Sequence, residues 1–216
     1  MTLTSMTLSS IPWDLVLEVL GFCVGLLYLW WEYRADRRLW YASVVMPMIS
    51  MWIYFSKGLY ADFSINIYYL AIAVYGFRKW SRGDGGKEKS SEKGKDKESL
   101  PITSIPARQL AGCVCGALIL WGALYLILRY LTDSTVPVAD AFTTALSIVG
   151  MWMLARKYLE QWMVWILVDF VCVGLYIYKG IYLYATLYGI YTVIAVFGYR
   201  RWKREMGIGL RKHEES

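Results

Sequence analysis

Apolar residues fall in seven runs separated by charged residues, Gly or Pro, at 13–31, 38–56, 59–79, 108–130, 138–155, 161–178 and 181–200. A helix rising about 1.5 Å per residue needs roughly 20 residues to cross a hydrocarbon core of about 30 Å, and every run approaches that length. The pattern therefore predicts seven transmembrane helices. Between the third and fourth runs, Ser81–Ser99 holds only Gly, Ser and charged residues. Such a stretch has nothing to bury and reads as a flexible loop.

Composition agrees with the pattern. Of the 216 residues, 57% are apolar and 19% charged, against about 45–50% and 25% in soluble domains, which excludes a soluble or disordered chain. The 11 Trp and 18 Tyr suit membrane–water interfaces. Four Cys show no disulfide framework and read as small apolar residues. The first ten residues lack Lys and Arg, so the basic start of a cleavable signal peptide is missing and the first helix is expected to remain in the mature protein. If the helices alternate direction, 20 of the 23 Lys and Arg face one side, leaving only Lys57, Arg129 and Lys179 on the other. The positive-inside rule then places the N-terminus outside and the C-terminus in the cytoplasm. The net charge of +6 is thereby explained without nucleic acid, since the basic loop is interleaved with acids and lacks aromatics.

Laid on itself with an offset of 122 residues, the chain repeats. Tyr54, Lys57, Gly58 and Tyr60 fall on Tyr176, Lys179, Gly180 and Tyr182; Ile72-Ala73-Val74 falls on Ile194-Ala195-Val196. Gly76, Arg78 and Trp80 fall on Gly198, Arg200 and Trp202, while Trp30, Arg34 and Trp40 fall on Trp152, Arg156 and Trp162. Each unit has three helices, so one extra helix must return the chain before the second unit starts in the same direction. The expected architecture is an all-α integral membrane protein of 3+1+3 parallel repeats. It divides into 13–80, a charged flexible cytoplasmic loop at 81–106, a linking helix at 107–130, a second repeat at 138–202 and a tail at 203–216. Transporters are built from such repeats, with the solute held where the units meet.

Differences between the units mark the candidate site. Trp162, Trp165 and Asp169 occupy one face of the sixth helix at i, i+3 and i+7, where the first unit has Trp40, Ser43 and Pro47. Asp169 lies about 12 Å inside its end, where a carboxylate costs about 2.5–3.5 kcal/mol unless it faces a cavity or a partner. No Lys or Arg sits at that depth in any helix. Two indoles and an acid form a receptor for a flat cation, although Trp162 also suits an interfacial belt. On the third helix, Asp62, Asn66 and Tyr69 share a second polar face, and the repeat partners of the first two are Tyr184 and Tyr188. Asn66 is a hydrogen-bonding group for an amide or hydroxyl, and Asp62 either joins it or pairs with Lys57. Glu18 is ambiguous in the same way. Gly21 with Gly25, and Gly112 with Gly116, have spacings that let helices approach closely, and Pro47 and Gly174 are candidate kinks.

There is no phosphate-binding Gly-rich loop, no metal-ligand spacing and no nucleophile–base set; the one His is His213 in the tail. The reading is a carrier without cofactor, and not an enzyme. A non-transporting receptor or scaffold that recruits a protein through its charged loop stays open beside it.

The segments Lys57-Gly58-Leu59-Tyr60-Ala61-Asp62, Trp162-x-x-Trp165-x-x-x-Asp169, Tyr178-Lys179-Gly180-Ile181-Tyr182 and Gly198-Tyr199-Arg200-Arg201-Trp202 resemble the PnuC family of bacterial vitamin transporters, over nearly all of 13–204. The resemblance implies a 3+1+3 protein of the cytoplasmic membrane, related in architecture to the SWEET sugar transporters, and a homotrimer is possible. It implies that Trp162, Trp165 and Asp169 hold the flat ring of a cationic vitamin that moves down its gradient and is trapped by a cytoplasmic kinase. Nicotinamide riboside is the expected substrate. Thiamine, which also carries a fixed positive charge, is the alternative, because Arg37-Arg38-Leu39-Trp40 and Met46-Pro47 do not look like the corresponding segment of riboside carriers.

Overall fold

The computed structural model describes residues 24–56, 60–82, 100–132 and 135–214. Among the described residues there are seven helices: α1 (24–33), α2 (Leu39–Ser56), α3 (Tyr60–Arg82), α4 (Ala107–Leu131), α5 (Pro137–Ala155), α6 (Gln161–Tyr178) and α7 (Tyr182–Glu214). No strand occurs among the described residues. Glu18, Gly21, Lys57 and the loop at 83–99 lie outside them, as does the side chain of Asp62.

By length and composition, α4, α5, α6 and the Tyr182–Ile208 part of α7 are able to cross a bilayer, and α2 carries a shorter apolar stretch at Leu39–Ile49. No residue of α4 is buried; Leu118, Ile119, Leu126 and Tyr130 all point outward. In water such a helix would be unstable, whereas lipid solvates it and its backbone is satisfied internally. Two boundaries differ from expectation. α7 continues past residue 200 because the charge that ends the membrane run does not end the helix: the following residues are mostly helix formers, and Arg201 pairs with Glu205 one turn on at 2.8 Å. The end of the expected loop is packed rather than free. Leu100 and Ile105 are buried, the backbone of Thr103 bonds that of Lys157 and Leu159, and the Ile105 N–H donates to Glu160 Oε2 at 2.9 Å.

Contacts recur at the 122-residue offset. The Trp40 ring meets Trp80 edge to face at 5.5 Å and 87°, and Trp162 meets Trp202 at 5.6 Å and 89°. Each first indole rests on a glycine: a Cβ on Gly76 would overlap Trp40, and one on Gly198 would come within 2.6 Å of Trp162. The second indoles then cross between units. Trp80 Nε1–H donates to the Ala155 carbonyl at 3.2 Å, and Trp202 Nε1–H donates to the Tyr33 carbonyl at 3.3 Å. Tyr33 and Ala155 are themselves 122 residues apart, so the exchange is reciprocal. Trp80 and Trp202 approach to 6.4 Å between the units. The turns after α1 and α5 match as well, with Ala35 and Lys157 both left-handed at φ 51° and 54°. Arg34 and Arg156 stack over Trp30 and Trp152 at 5.6 and 4.5 Å. Lys157 lies over the Trp80 ring at 4.4 Å, and burial pushes its ammonium down to about 8.

Gly112, Gly116 and Gly174 play no such part. A Cβ on Gly112 or Gly116 meets nothing within 4 Å, so their spacing does not mark a close helix contact; they line a groove against α3 and α5 instead. Gly174 is equally open, and α6 runs through it unbroken. Gly198→Ala should therefore lower stability by about 1–3 kcal/mol through overpacking, whereas Gly174→Ala should be neutral or slightly stabilising. Thermal midpoints of the two variants in detergent check this contrast.

Candidate functional site

A cavity of about 550 Å³ lies between the two groups of helices, lined by residues from α1, α2, α3, α5, α6 and α7. Its centre is held by α6. Trp165 packs its indole 3.5 Å from where a Gly150 side chain would begin, and Asp169 follows one turn deeper, 7% exposed. Among the described residues nothing bonds or pairs with the Asp169 carboxylate. The one Lys or Arg in the wall is Lys179, and it is engaged by Asp140 at 3.5 Å. The cavity thus holds an uncompensated acid beside an aromatic face.

The opposite walls explain why the space exists. Gly150 is the repeat partner of Tyr28, and Trp165 that of Ser43, so the large and small residues are exchanged between the units. Tyr28 fills in the first unit what Trp165 fills in the second. α5 presents Thr143, Thr144 and Ser147 to the cavity, and each hydroxyl donates to a carbonyl of its own helix, at 3.1, 2.8 and 2.8 Å to the fourth residue back. Their lone pairs are left as acceptors toward the cavity. Beyond Asp169, Tyr176 stacks on Tyr184 and Tyr188 with centroids 5.3 and 5.2 Å apart, and Tyr188 meets Tyr191 edge to face.

The expected site residues divide. Trp165, Asp169 and Tyr69 line the cavity together. Trp162 borders it but is 0% exposed, seated on Gly198 and against Trp202, so most of its surface belongs to the core. Asn66 is half-buried on α3, is engaged by neighbours and does not line the cavity; the side chain of Asp62 is outside the described residues. Sequence reasoning missed Tyr28, Glu32 and the α5 hydroxyls. The signals were present: Glu32 stands opposite Leu154, and Asp140, Thr143, Thr144 and Ser147 are spaced as one helical stripe.

Long apolar helices around an acidic, aromatic cavity define a multispan membrane transporter. The profile of the nicotinamide mononucleotide transporter family matches residues 15–204, and the chain belongs to that family. It is similar to the nicotinamide riboside transporter PnuC of Escherichia coli strain K12, 25% identical over 224 residues that cover 91% of this chain and 90% of that one. It is also similar to the riboflavin/roseoflavin transporter RibM of Streptomyces davaonensis, 25% identical across 86% of this chain and 83% of that one. A crystal structure of the vitamin B3 transporter PnuC superposes with a TM-score of 0.62 over 86% of this chain and 80% of that chain, at 20% identity, which establishes a shared fold.

The two indoles should separate in experiment. Trp162→Ala should cost about 3–5 kcal/mol of stability as a core truncation, seen as a large fall in thermal midpoint. Trp165→Ala should leave a folded protein whose ligand-induced stabilisation is lost.

Proposed function

We propose that the protein takes up nicotinamide riboside by facilitated diffusion, with the N-terminus outside, the C-terminus in the cytoplasm and the helices in a 3+1+3 arrangement of parallel repeats. The observation that carries this reading is Asp169 beside Trp165 in a cavity whose one basic lining residue among the described ones, Lys179, is engaged by Asp140. A pyridinium ring brings the missing positive charge. Its flat face suits the indole, an interaction of about 0.5–2 kcal/mol, and the carboxylate adds Coulomb attraction in a low-dielectric site. The relatives of known name transport vitamins with flat rings, one of them nicotinamide riboside. Membership in a transporter family sets the scaffold reading aside.

The carrier performs no chemistry on its solute. Net uptake then requires a sink, which a cytoplasmic kinase supplies by adding a phosphate that the acidic cavity repels. The cavity lies between the repeat units, so each side opens by moving one unit against the other. At the basic end that movement must part the crossing bonds from Trp80 to Ala155 and from Trp202 to Tyr33.

Uptake of radiolabelled nicotinamide riboside into proteoliposomes tests the reading. Saturable uptake should occur without a pH or sodium gradient, and excess nicotinamide riboside should compete where excess thiamine or riboflavin does not. Asp169→Asn should weaken riboside binding at least tenfold, or about 1.4 kcal/mol. Uptake blocked by thiamine alone would reassign the substrate; unchanged affinity in Asp169→Asn would remove the cation site. A fluorescent protein fused after Ser216 should fluoresce if the C-terminus is cytoplasmic.

A further inference from the structure

On the outer side of α5, away from the central cavity, α3 and α4 both pack on α5 but not on each other. A groove of about 610 Å³ runs between them with α5 as its floor. From Gln109 to Leu120 it follows α4 for eleven residues, or about 16 Å, which is one leaflet of a hydrocarbon core about 30 Å thick. At the deep end the Tyr68 hydroxyl donates to the Ile148 carbonyl at 2.6 Å and ties α3 to α5. Gly112 and Gly116 give the groove its depth. A Cβ on either would meet nothing within 4 Å, and glycine is a poor helix former, so neither close packing nor helix stability accounts for them.

Arg156 stands at the mouth, at the basic end of the molecule. Its guanidinium lies over the Trp152 ring at 4.5 Å and bonds the Tyr75 and Tyr158 hydroxyls, while Tyr158 donates its own proton to Gln109 Oε1 at 2.7 Å. These partners are all neutral. Among the described residues no carboxylate pairs with Arg156, and its Nε–H is buried without an acceptor. A fixed cation at the head of an apolar groove one leaflet long matches a hydrocarbon chain that carries an anionic group at its top. A second copy presenting its own α4 would not bring that charge, because α4 contains no Asp or Glu. Arg78 on α3 and Arg108 on α4 are exposed at the same end, and they disfavour a headgroup that ends in an ammonium.

We infer that this groove holds an acyl chain of an anionic phospholipid, whose phosphate accepts from Arg156. The site shares no lining residue with the central cavity and does not depend on which solute is carried. Because α3 belongs to the first unit and α5 to the second, the bound lipid touches both units where they join. The two glycines supply mild test substitutions, since a larger side chain at either position enters the groove without striking protein at its root.

The experiment is native mass spectrometry of the purified, delipidated protein with phosphatidylglycerol and with phosphatidylcholine of the same acyl chains, which counts bound lipids and subunits together. The unaltered protein should hold one phosphatidylglycerol per chain about tenfold more tightly than phosphatidylcholine, as one charge-assisted contact provides. Arg156→Gln should bring the two lipids to within about twofold. Arg129→Gln, the same charge change at the far end of α4, should leave the preference intact. Gly112→Leu combined with Gly116→Leu should weaken both lipids about tenfold by filling the groove. Thermal midpoints report folding, and if one of these variants fails to fold the other decides. No preference in the unaltered protein, equal loss of preference in Arg129→Gln, or unchanged lipid binding in the double leucine variant overturns the site. A double leucine variant that keeps its lipid but changes its number of subunits makes the groove a contact between copies and overturns the lipid assignment as well.

Discussion

Two tryptophans tie this molecule together by bonding across its internal repeat. Trp80 of the first unit reaches Ala155 of the second, and Trp202 of the second reaches Tyr33 of the first. An indole N–H buried in an apolar setting needs an acceptor, and inside one's own helix none is free, because each carbonyl is already bonded. Carbonyls at a helix end are free, and Tyr33 and Ala155 end their helices. The repeat thus makes each unit the hydrogen-bond partner that the other lacks. Gly76 and Gly198 are part of the same constraint, since only a missing Cβ lets Trp40 and Trp162 pack under the crossing indoles.

That symmetry frames a cavity whose contents are asymmetric. Where packing alone is at stake the units agree, as in the Trp–Gly–Trp sets and the left-handed turns at Ala35 and Lys157. Around the cavity they diverge: Tyr28 against Gly150, Ser43 against Trp165, Pro47 against Asp169, Glu32 against Leu154. A duplicated scaffold acquires an asymmetric cavity by keeping its frame and diversifying its lining. The exchange of large and small residues between Tyr28/Ser43 and Gly150/Trp165 preserves volume while turning one wall aromatic and the other polar.

Part of the cavity lining was legible in this difference between units. Trp165 and Asp169 emerged from it because a tryptophan over a serine and an acid over a proline are changes that packing does not require. The same comparison held Glu32, but an acid near a charged helix end reads as solvated until its burial is seen. Helical spacing puts Asn66 on one face with Asp62 and Tyr69; of the two described side chains, Tyr69 lines the cavity and Asn66 does not.

The helices, the 122-residue offset and an acid within an apolar helix were legible in the sequence alone, because apolar runs long enough to cross hydrocarbon stand out by composition and an acid inside one is conspicuous. Which tryptophan belongs to the core and which to the cavity was decided only in three dimensions. Trp162 and Trp165 lie one turn apart on one helix, with identical chemistry. Gly198 and Trp202 claim the first, while Gly150 gives the second a cavity wall to lie against, and both glycines sit on other helices that no local pattern in α6 names.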